Sequence, residues 1–282
     1  MNKQLTLSVL ALSALLLLFW LGKTTLDTKV EVKATEKIAE KFNIQSFIDS
    51  NRKDISIGLL NEIESYEKIL AESTLNEAKI KALNSLAIIY NDSFSLPEAY
   101  LFYTSSAAKL DNSEKNLTFA AQLFLNQLRG EQDELKLDWE SGEAISLYDK
   151  ALLLNPDNDD LKIGLASCFI FGKGRNGDPQ ETMKGIQQLL GVVRKDSSNM
   201  KAQLLLGIGG YVSGQYDKAV SRLLKVVEQQ PDNIEAIAFL ADTYAAKGDK
   251  TEAIKWYRLS KRLVKDDHYT KEVDARIAEL EK

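Results

Sequence analysis

The chain has 282 residues, 44% of them hydrophobic and 27% charged, a composition able to bury a sizeable core and unlike that of a disordered chain. Lys and Arg number 36 against 41 Asp and Glu, so there is no basic excess to neutralise a run of phosphates, and nucleic acid is not expected as a partner. Cys168 is the only thiol and His268 the only imidazole. This leaves no internal disulfide and little material for a Cys/His zinc site, a haem attachment or a histidine-based triad.

From the amino terminus, Leu5 to Leu21 is free of charge, preceded by Met-Asn-Lys-Gln and closed by Trp20, Gly22 and Lys23. Its 17 residues meet the lower limit for spanning a bilayer and exceed the usual apolar core of a secretory signal. No small-x-small cleavage site follows, so residues 1–22 read as a retained, single-pass transmembrane signal anchor, with a cleaved signal peptide as the alternative. Flanking lysines nearly balance across the segment. A short tail before a long hydrophilic domain then places that domain outside the inner (cytoplasmic) membrane, on the periplasmic side. Residues 23–53 read as linker and pre-helix, with no helical period from Lys23 to Thr35. Ile57, Leu60, Ile63, Tyr66 and Leu70 then form an apolar stripe, predicting a capping helix from about Asp54 to Glu72 within residues 54–79.

From residue 80 onwards the sequence repeats, with a basic period of 34 residues. Five units are predicted, at 80–113, 114–158, 159–199, 200–233 and 234–267, followed by a C-terminal capping helix in 268–282 that carries Val273, Ile277 and Leu280. The eighth position of each unit is small: Ala87, Ala121, Ala166, Gly207 and Ala241. A second small position, Ala99, Ala144, Gly185, Ala219 and Ala253, is followed four residues later by Tyr103, Tyr148, Leu189, Leu223 and Tyr257. Two antiparallel helices approach closely where one side chain is a methyl or a hydrogen and a large one fills the adjacent hole. Each unit is therefore predicted to be a helical hairpin, and the fold class all-α. Ser95-x-x-Glu98, Asp178-x-x-Glu181, Asp232-x-x-Glu235 and Asp249-x-x-Glu252 read as capping boxes. Pro97 and Pro179 fit first-turn positions, while Pro156 and Pro231 separate units. The second unit carries about eleven extra residues around Gly130 to Trp139, and the third about seven around Lys173 to Asp178, both between the paired helices.

Leu206-Gly207, Gly214, Ala219 and Pro231, then Leu240-Ala241, Tyr244, Gly248, Ala253 and Tyr257, resemble the tetratricopeptide-repeat family. Gly210 stands where the family pattern has an aromatic. The resemblance implies a right-handed α-solenoid whose concave face, lined by positions 2, 5, 9, 12 and 13 of each first helix, takes a protein or peptide. Carried onto this chain, that face comprises Lys81, Asn84 and Asn91, then Ile163, Ile170 and Phe171, then Leu204, Ile208, Tyr211 and Val212, and Asp242 near the far rim. The middle of this set is apolar, which suits an amphipathic or apolar segment, the protein's own N-terminal helix, or a neighbouring subunit in a homo-oligomer. Leu204 and Ile208, or Ala238 and Asp242, stand where family members that grip a terminal carboxylate carry Lys, Asn and Arg.

The expected function is a non-enzymatic, membrane-tethered scaffold or adaptor acting in envelope-complex assembly, with no catalytic residues, metal or cofactor. One alternative is a chaperone-like holder of an apolar segment, of the kind that serves apocytochrome maturation. A second is a nucleotide-responsive protein using Gly172-x-Gly174-x-x-Gly177 with Lys173 and Arg175, although that string lacks the strand that a dinucleotide loop requires before it. Cys168, beside Phe169, reads as a buried small hydrophobe, and His268 as a solvated loop or cap residue.

Overall fold

A computed structural model describes residues 41–52, 55–176 and 179–282. The Leu5–Leu21 segment lies outside them, and among the described residues no helix is long and apolar enough to cross a membrane. Lys41–Lys282 forms one compact unit, all-α among the described residues. Its helices are α1 (Ile44–Ser50), α2 (Ile57–Glu72), α3 (Asn76–Asp92), α4 (Pro97–Asp111), α5 (Glu114–Leu128), α6 (Glu134–Leu154), α7 (Asp159–Phe171), α8 (Pro179–Lys195), α9 (Met200–Val212), α10 (Tyr216–Gln229), α11 (Ile234–Lys247), α12 (Lys250–Leu263) and α13 (Asp267–Leu280). From α3 to α12 they pack as five successive antiparallel hairpins, α3 with α4 through to α11 with α12.

The small positions explain this pairing. Ala87, Ala121, Ala166, Gly207 and Ala241 are all buried on first helices, as are Ala99, Ala144, Gly185, Ala219 and Ala253 on second helices. Tyr103, Tyr148, Leu189, Leu223 and Tyr257 are buried with them. In the fourth hairpin a methyl on Gly207 would stand 2.6 Å from Leu223 Cγ. Gly210, in place of an aromatic, lies flush against Ala219, whose Cβ would be 3.2 Å from an added methyl. The missing ring is thus replaced by close backbone approach.

Helix ends follow the turn chemistry, with corrections to the expected caps. Asn158, Asn199 and Asn233 open the first helices α7, α9 and α11, each accepting from backbone N–H groups of the first turn. Asn233, rather than Asp232, is therefore the N-cap of α11. Ser95 does not cap α4 either: Pro97 restricts Leu96 to a non-helical conformation, Leu96 becomes the N-cap residue, and Ser95 takes a positive φ of 49°. Asp249 does cap α12, accepting from Glu252 N at 3.2 Å, but the Glu252 carboxylate turns to Lys255 and Trp256. Asp178 lies outside the described residues. Gly248 ends α11 at φ 87°, a left-handed conformation that costs glycine least.

The extra residues of the second hairpin are mostly helix, not loop, because α6 begins at Glu134 and runs for 21 residues. Its projecting first turns meet the N-terminal segment. Phe42 packs on Trp139 at 5.2 Å between ring centroids, Trp139 on Phe124 at 5.4 Å, and Lys136 Nζ sits 5.0 Å from the Phe47 ring centroid. Ile48 is fully buried with Ile63 and Tyr90, and Arg52 donates to Tyr90 Oη at 2.7 Å while pairing with Glu67. Residues 41–52 are accordingly part of the folded body. Within the α2 stripe Ile63 is buried, whereas Ile57, the first residue of the helix, is 79% exposed. At the other end Val273 and Ile277 of α13 are buried against Ala253 and Tyr257.

One interface buries an unpartnered carboxyl group. Along the face of α6 turned to α4, Lys136 pairs with Glu98 and Glu143 accepts from Lys109 at 2.5 Å. Between them along α6, Glu140 is wholly buried and neither carboxylate oxygen has a hydrogen-bond partner. Burial, reinforced by Glu131 and Glu98, pushes its pKa up to about 8.

Candidate functional site: a concave cavity spanned by an ion pair

The first helices of hairpins two to five surround a cavity of about 490 Å³. Leu125, Ile163, Leu204 and Leu205 supply its apolar surface, and Thr118, Gln122, Asp160, Ser167 and Lys201 supply polar groups. The Tyr148 ring backs it, with its hydroxyl donating to Gln122 Oε1 at 3.2 Å. Burial raises the pKa of that phenol above its ordinary value, so it stays protonated as a donor across the neutral range. Arg129, just past the end of α5, reaches Glu235 at the start of α11 with Nη1 to Oε1 of 2.8 Å. This pair joins the second hairpin to the fifth. Lys201 and Asp160 form a second, exposed pair at 3.2 Å. Exposed pairs of this kind are worth about 1 kcal/mol or less, so a ligand can displace them at small cost.

Beside the Arg129–Glu235 pair lies a smaller cleft of about 280 Å³, walled by Phe171 and Phe239 with Arg129, Arg175 and Glu235. The Arg129 guanidinium carbon stands 4.6 Å from the Phe171 ring centroid. Phe239 is braced edge-on by Tyr211 at 5.8 Å.

The expected lining is only partly realised. Ile163, Ile170 and Ile208 are buried, at 7%, 1% and 0% exposure, in one cluster with Ile186, Leu189 and Leu206, so the greasy centre read from the sequence is largely core. The glycines of α9 bring this about. A methyl on Gly209 would stand 3.1 Å from Ile186 Cγ1 and 3.2 Å from Ile170 Cδ1, so the bare backbone lets both side chains close over it. Leu204, Phe171 and Tyr211 are half-buried and Val212 is exposed. Leu204 faces the large cavity, as does the edge of Ile163, and Phe171 faces the smaller cleft. Lys81, Asn84 and Asn91 do not join them. Lys81 pairs with Glu77 at 2.8 Å, Asn91 donates to Asp92 at 2.8 Å, and Asn84 lines a separate cleft between α3, α4 and α5. Asp242 is engaged by the Tyr257 hydroxyl and by Arg276 of α13 at 2.7 Å, which ties the last hairpin to its cap.

Gln122, Arg129, Phe239 and Arg175 complete the two cavities without having been singled out as lining residues. Arg129 follows the last turn of α5, where no repeat position marks it. The glycine-rich stretch is a 3-10 turn, Lys173–Asn176, whose cations are already held. Lys173 pairs with Asp138, and Arg175 donates to the carbonyls of Leu128 at 2.9 Å and Glu131 at 2.5 Å. A helix rather than a strand precedes the turn, so the phosphate-cradling context is absent. Gly177 lies outside the described residues. Cys168 is fully buried, and burial raises its thiol far above the reactive range.

The sequence model of the tetratricopeptide repeat matches residues 213–271, which span the end of the fourth hairpin, the fifth and the start of α13. The chain carries tetratricopeptide repeats. The same repeat architecture recurs in solved structures. A tetratricopeptide-repeat protein from Parabacteroides merdae ATCC 43184 superposes with a TM-score of 0.55 at 17% identity, over 83% of this chain and 82% of that one. A thermophilic tetratricopeptide-repeat protein from Thermus thermophilus gives 0.52 at 16% identity, over 71% and 98%. PilW, a type IV pilus biogenesis factor, gives 0.51 at 17%, over 71% and 85%. At these identities the likeness is one of fold. No curated protein sequence is significantly similar to the chain. Tetratricopeptide repeats typically serve as protein-interaction modules.

Proposed function

We propose that this tetratricopeptide-repeat protein is a non-catalytic scaffold, tethered to the inner membrane through residues 5–21, that holds a segment of another envelope protein in its concave cavity on the periplasmic side. The observation carrying this reading is the 490 Å³ cavity, walled by helices of four hairpins and crossed only by exposed ion pairs. Such a space admits an extended or helical segment and offers it both apolar contact at Leu204 and hydrogen bonding at Gln122 and Thr118. Thr118 Oγ1 is buried without a partner in the cavity wall, so a ligand donor or acceptor would satisfy it. The likeness to a pilus biogenesis factor is in keeping with work in envelope assembly, and tethering raises the effective concentration towards other membrane proteins, so modest affinity suffices. Because Ile163, Ile170 and Ile208 are core, the mixed polar cavity favours an ordinary protein segment over a purely apolar one and weakens the chaperone reading.

A photo-crosslinking residue placed at Gln122 of the full-length chain in native membranes should yield a discrete adduct with one protein. The same residue at Leu153, which is 83% exposed and outside the cavity, should not. Leu204→Gln should abolish the adduct while leaving the melting temperature within a few degrees. Equal adducts at both positions, or an adduct indifferent to Leu204→Gln, would refute the binding face. Removal of residues 1–22 should release the protein from the membrane pellet, and continued sedimentation would refute the tether.

A further inference from the structure

The smaller cleft beside the Arg129–Glu235 pair has a chemistry of its own. Its walls are two phenylalanines, Phe171 and Phe239, both half-buried, and its charged groups are two guanidiniums against one carboxylate. Arg129 spends its charge on Glu235. Arg175 is exposed and its hydrogen bonds go to the main-chain carbonyls of Leu128 and Glu131, which hold the guanidinium in place without neutralising it. Among the described residues the nearby carboxylates are directed elsewhere: the Glu131 carboxylate accepts from the backbone N–H groups of Gln132 and Asp133, both at 2.7 Å, and Asp138 pairs with Lys173. Among the described residues, then, no carboxylate neutralises the Arg175 guanidinium, which stands beside a cleft of about 280 Å³ walled by two phenylalanines.

Resting on the reading that the concave face binds a protein segment, we infer that this cleft selects an acidic one, in which a bulky apolar or aromatic side chain stands next to an aspartate or glutamate. The apolar side chain enters between Phe171 and Phe239, where ring–ring contact adds to burial. Its neighbouring carboxylate meets Arg175, whose planar fork accepts carboxylate geometry and is pre-set by the two carbonyls. A second carboxylate in the segment exchanges with Glu235 at Arg129, opening the pair that joins the second and fifth hairpins. The occupant is thus recognised by charge at one side of the slot and by shape within it. A neutral apolar segment satisfies only the slot, and a basic one is repelled.

The test pans a displayed library of random peptides on the full-length chain in mild detergent, then measures the affinity of the recovered consensus. The expected consensus pairs Asp or Glu with Phe, Trp or Leu, and its affinity falls about tenfold or more in Arg175→Gln and in Phe239→Ser, and falls as salt is raised. Arg175→Lys, which keeps the charge, should retain the acidic preference, separating loss of charge from a loosened turn. A basic or neutral consensus, no consensus at all, or an acidic one bound equally by Arg175→Gln and Phe239→Ser would overturn the assignment. Because the Gln122 adduct is read separately, its persistence in any of these cases would show that the concave face still binds a protein while the cleft does not choose it.

Discussion

Replacing Glu140 with leucine should raise the unfolding free energy at pH 8 by about 4 kcal/mol and flatten the dependence of stability on pH. In the parent, Glu140 is fully buried between the Lys136–Glu98 and Glu143–Lys109 pairs, with no partner of its own. Its pKa rises from 4.5 to about 8, chiefly through burial and then through Glu131 and Glu98. Below pH 4.5 the folded and unfolded chains both hold the proton and nothing is lost. Above it the unfolded chain releases the proton while the folded chain keeps it, so stability falls by about 1.4 kcal/mol per pH unit until the folded pKa is passed. Leucine removes both the titration and the unmatched oxygens, whereas Glu140→Gln removes the titration alone and leaves a buried amide without a partner. The order of stability at pH 8 should therefore be leucine above glutamine above parent, with the parent rising towards the glutamine variant as pH approaches 4.5 while the gap between leucine and glutamine, neither of which titrates, stays the same. Chemical denaturation of the full-length proteins at several pH values measures this. A parent as stable at pH 8 as at pH 5 would mean that the carboxyl finds compensation that the packing of α4 on α6 does not provide.

The repeat itself was legible because its physics is periodic. A small residue, a large one four positions on, and a proline or asparagine at the boundary recur wherever two helices must touch, and Ala99 with Tyr103 or Ala253 with Tyr257 can be read without knowing the neighbours. The cavity was less legible because its lining depends on how far apart successive first helices stand. Gly209 of α9 lets Ile170 and Ile186 close over its bare backbone, and Ile170 and Ile208 become core rather than lining. Arg129 was invisible for a related reason: its partner Glu235 is three hairpins along the chain, and only the curvature of the stack brings them together. The caps slipped by one residue, from Ser95 to Leu96 and from Asp232 to Asn233, because adjacent polar residues compete for the same role and the pre-proline restriction decides the first case. The extension of α6 went unseen because the residues from Glu134 to Trp139 match no repeat position. Their burial depends on Phe42 and Phe47, which lie before the repeats begin.

Two glycines in α8 separate helix propensity from packing, and their substitution should have opposite effects. Gly191 is exposed, and a methyl built there meets nothing within 4 Å, so Gly191→Ala should stabilise the protein by about 1 kcal/mol through propensity alone. Gly185 sits in the same helix and would enjoy the same gain. Its methyl, however, would stand 2.8 Å from the backbone oxygen of Ala166, 3.1 Å from Ile170 Cγ1 and 3.2 Å from Phe169 Cβ. A backbone carbonyl inside α7 cannot swing aside as a side-chain end can, so the two helices must separate or the chain must bend. Gly185→Ala should then lower stability by about 1 kcal/mol in spite of its better propensity, and Gly185→Leu by about 3 kcal/mol or more. In a body of this size each kcal/mol moves the melting temperature by about 2–4 °C, so the two alanine variants should melt on opposite sides of the parent. The Leu variant should also loosen the seam that holds Ile170 and Ile186 together, since both lean on the notch that Gly185 and Gly209 leave open. If Gly185→Leu melts with the parent, α7 and α8 do not meet through this notch, and the small-position rule that organises all five hairpins fails at its third instance.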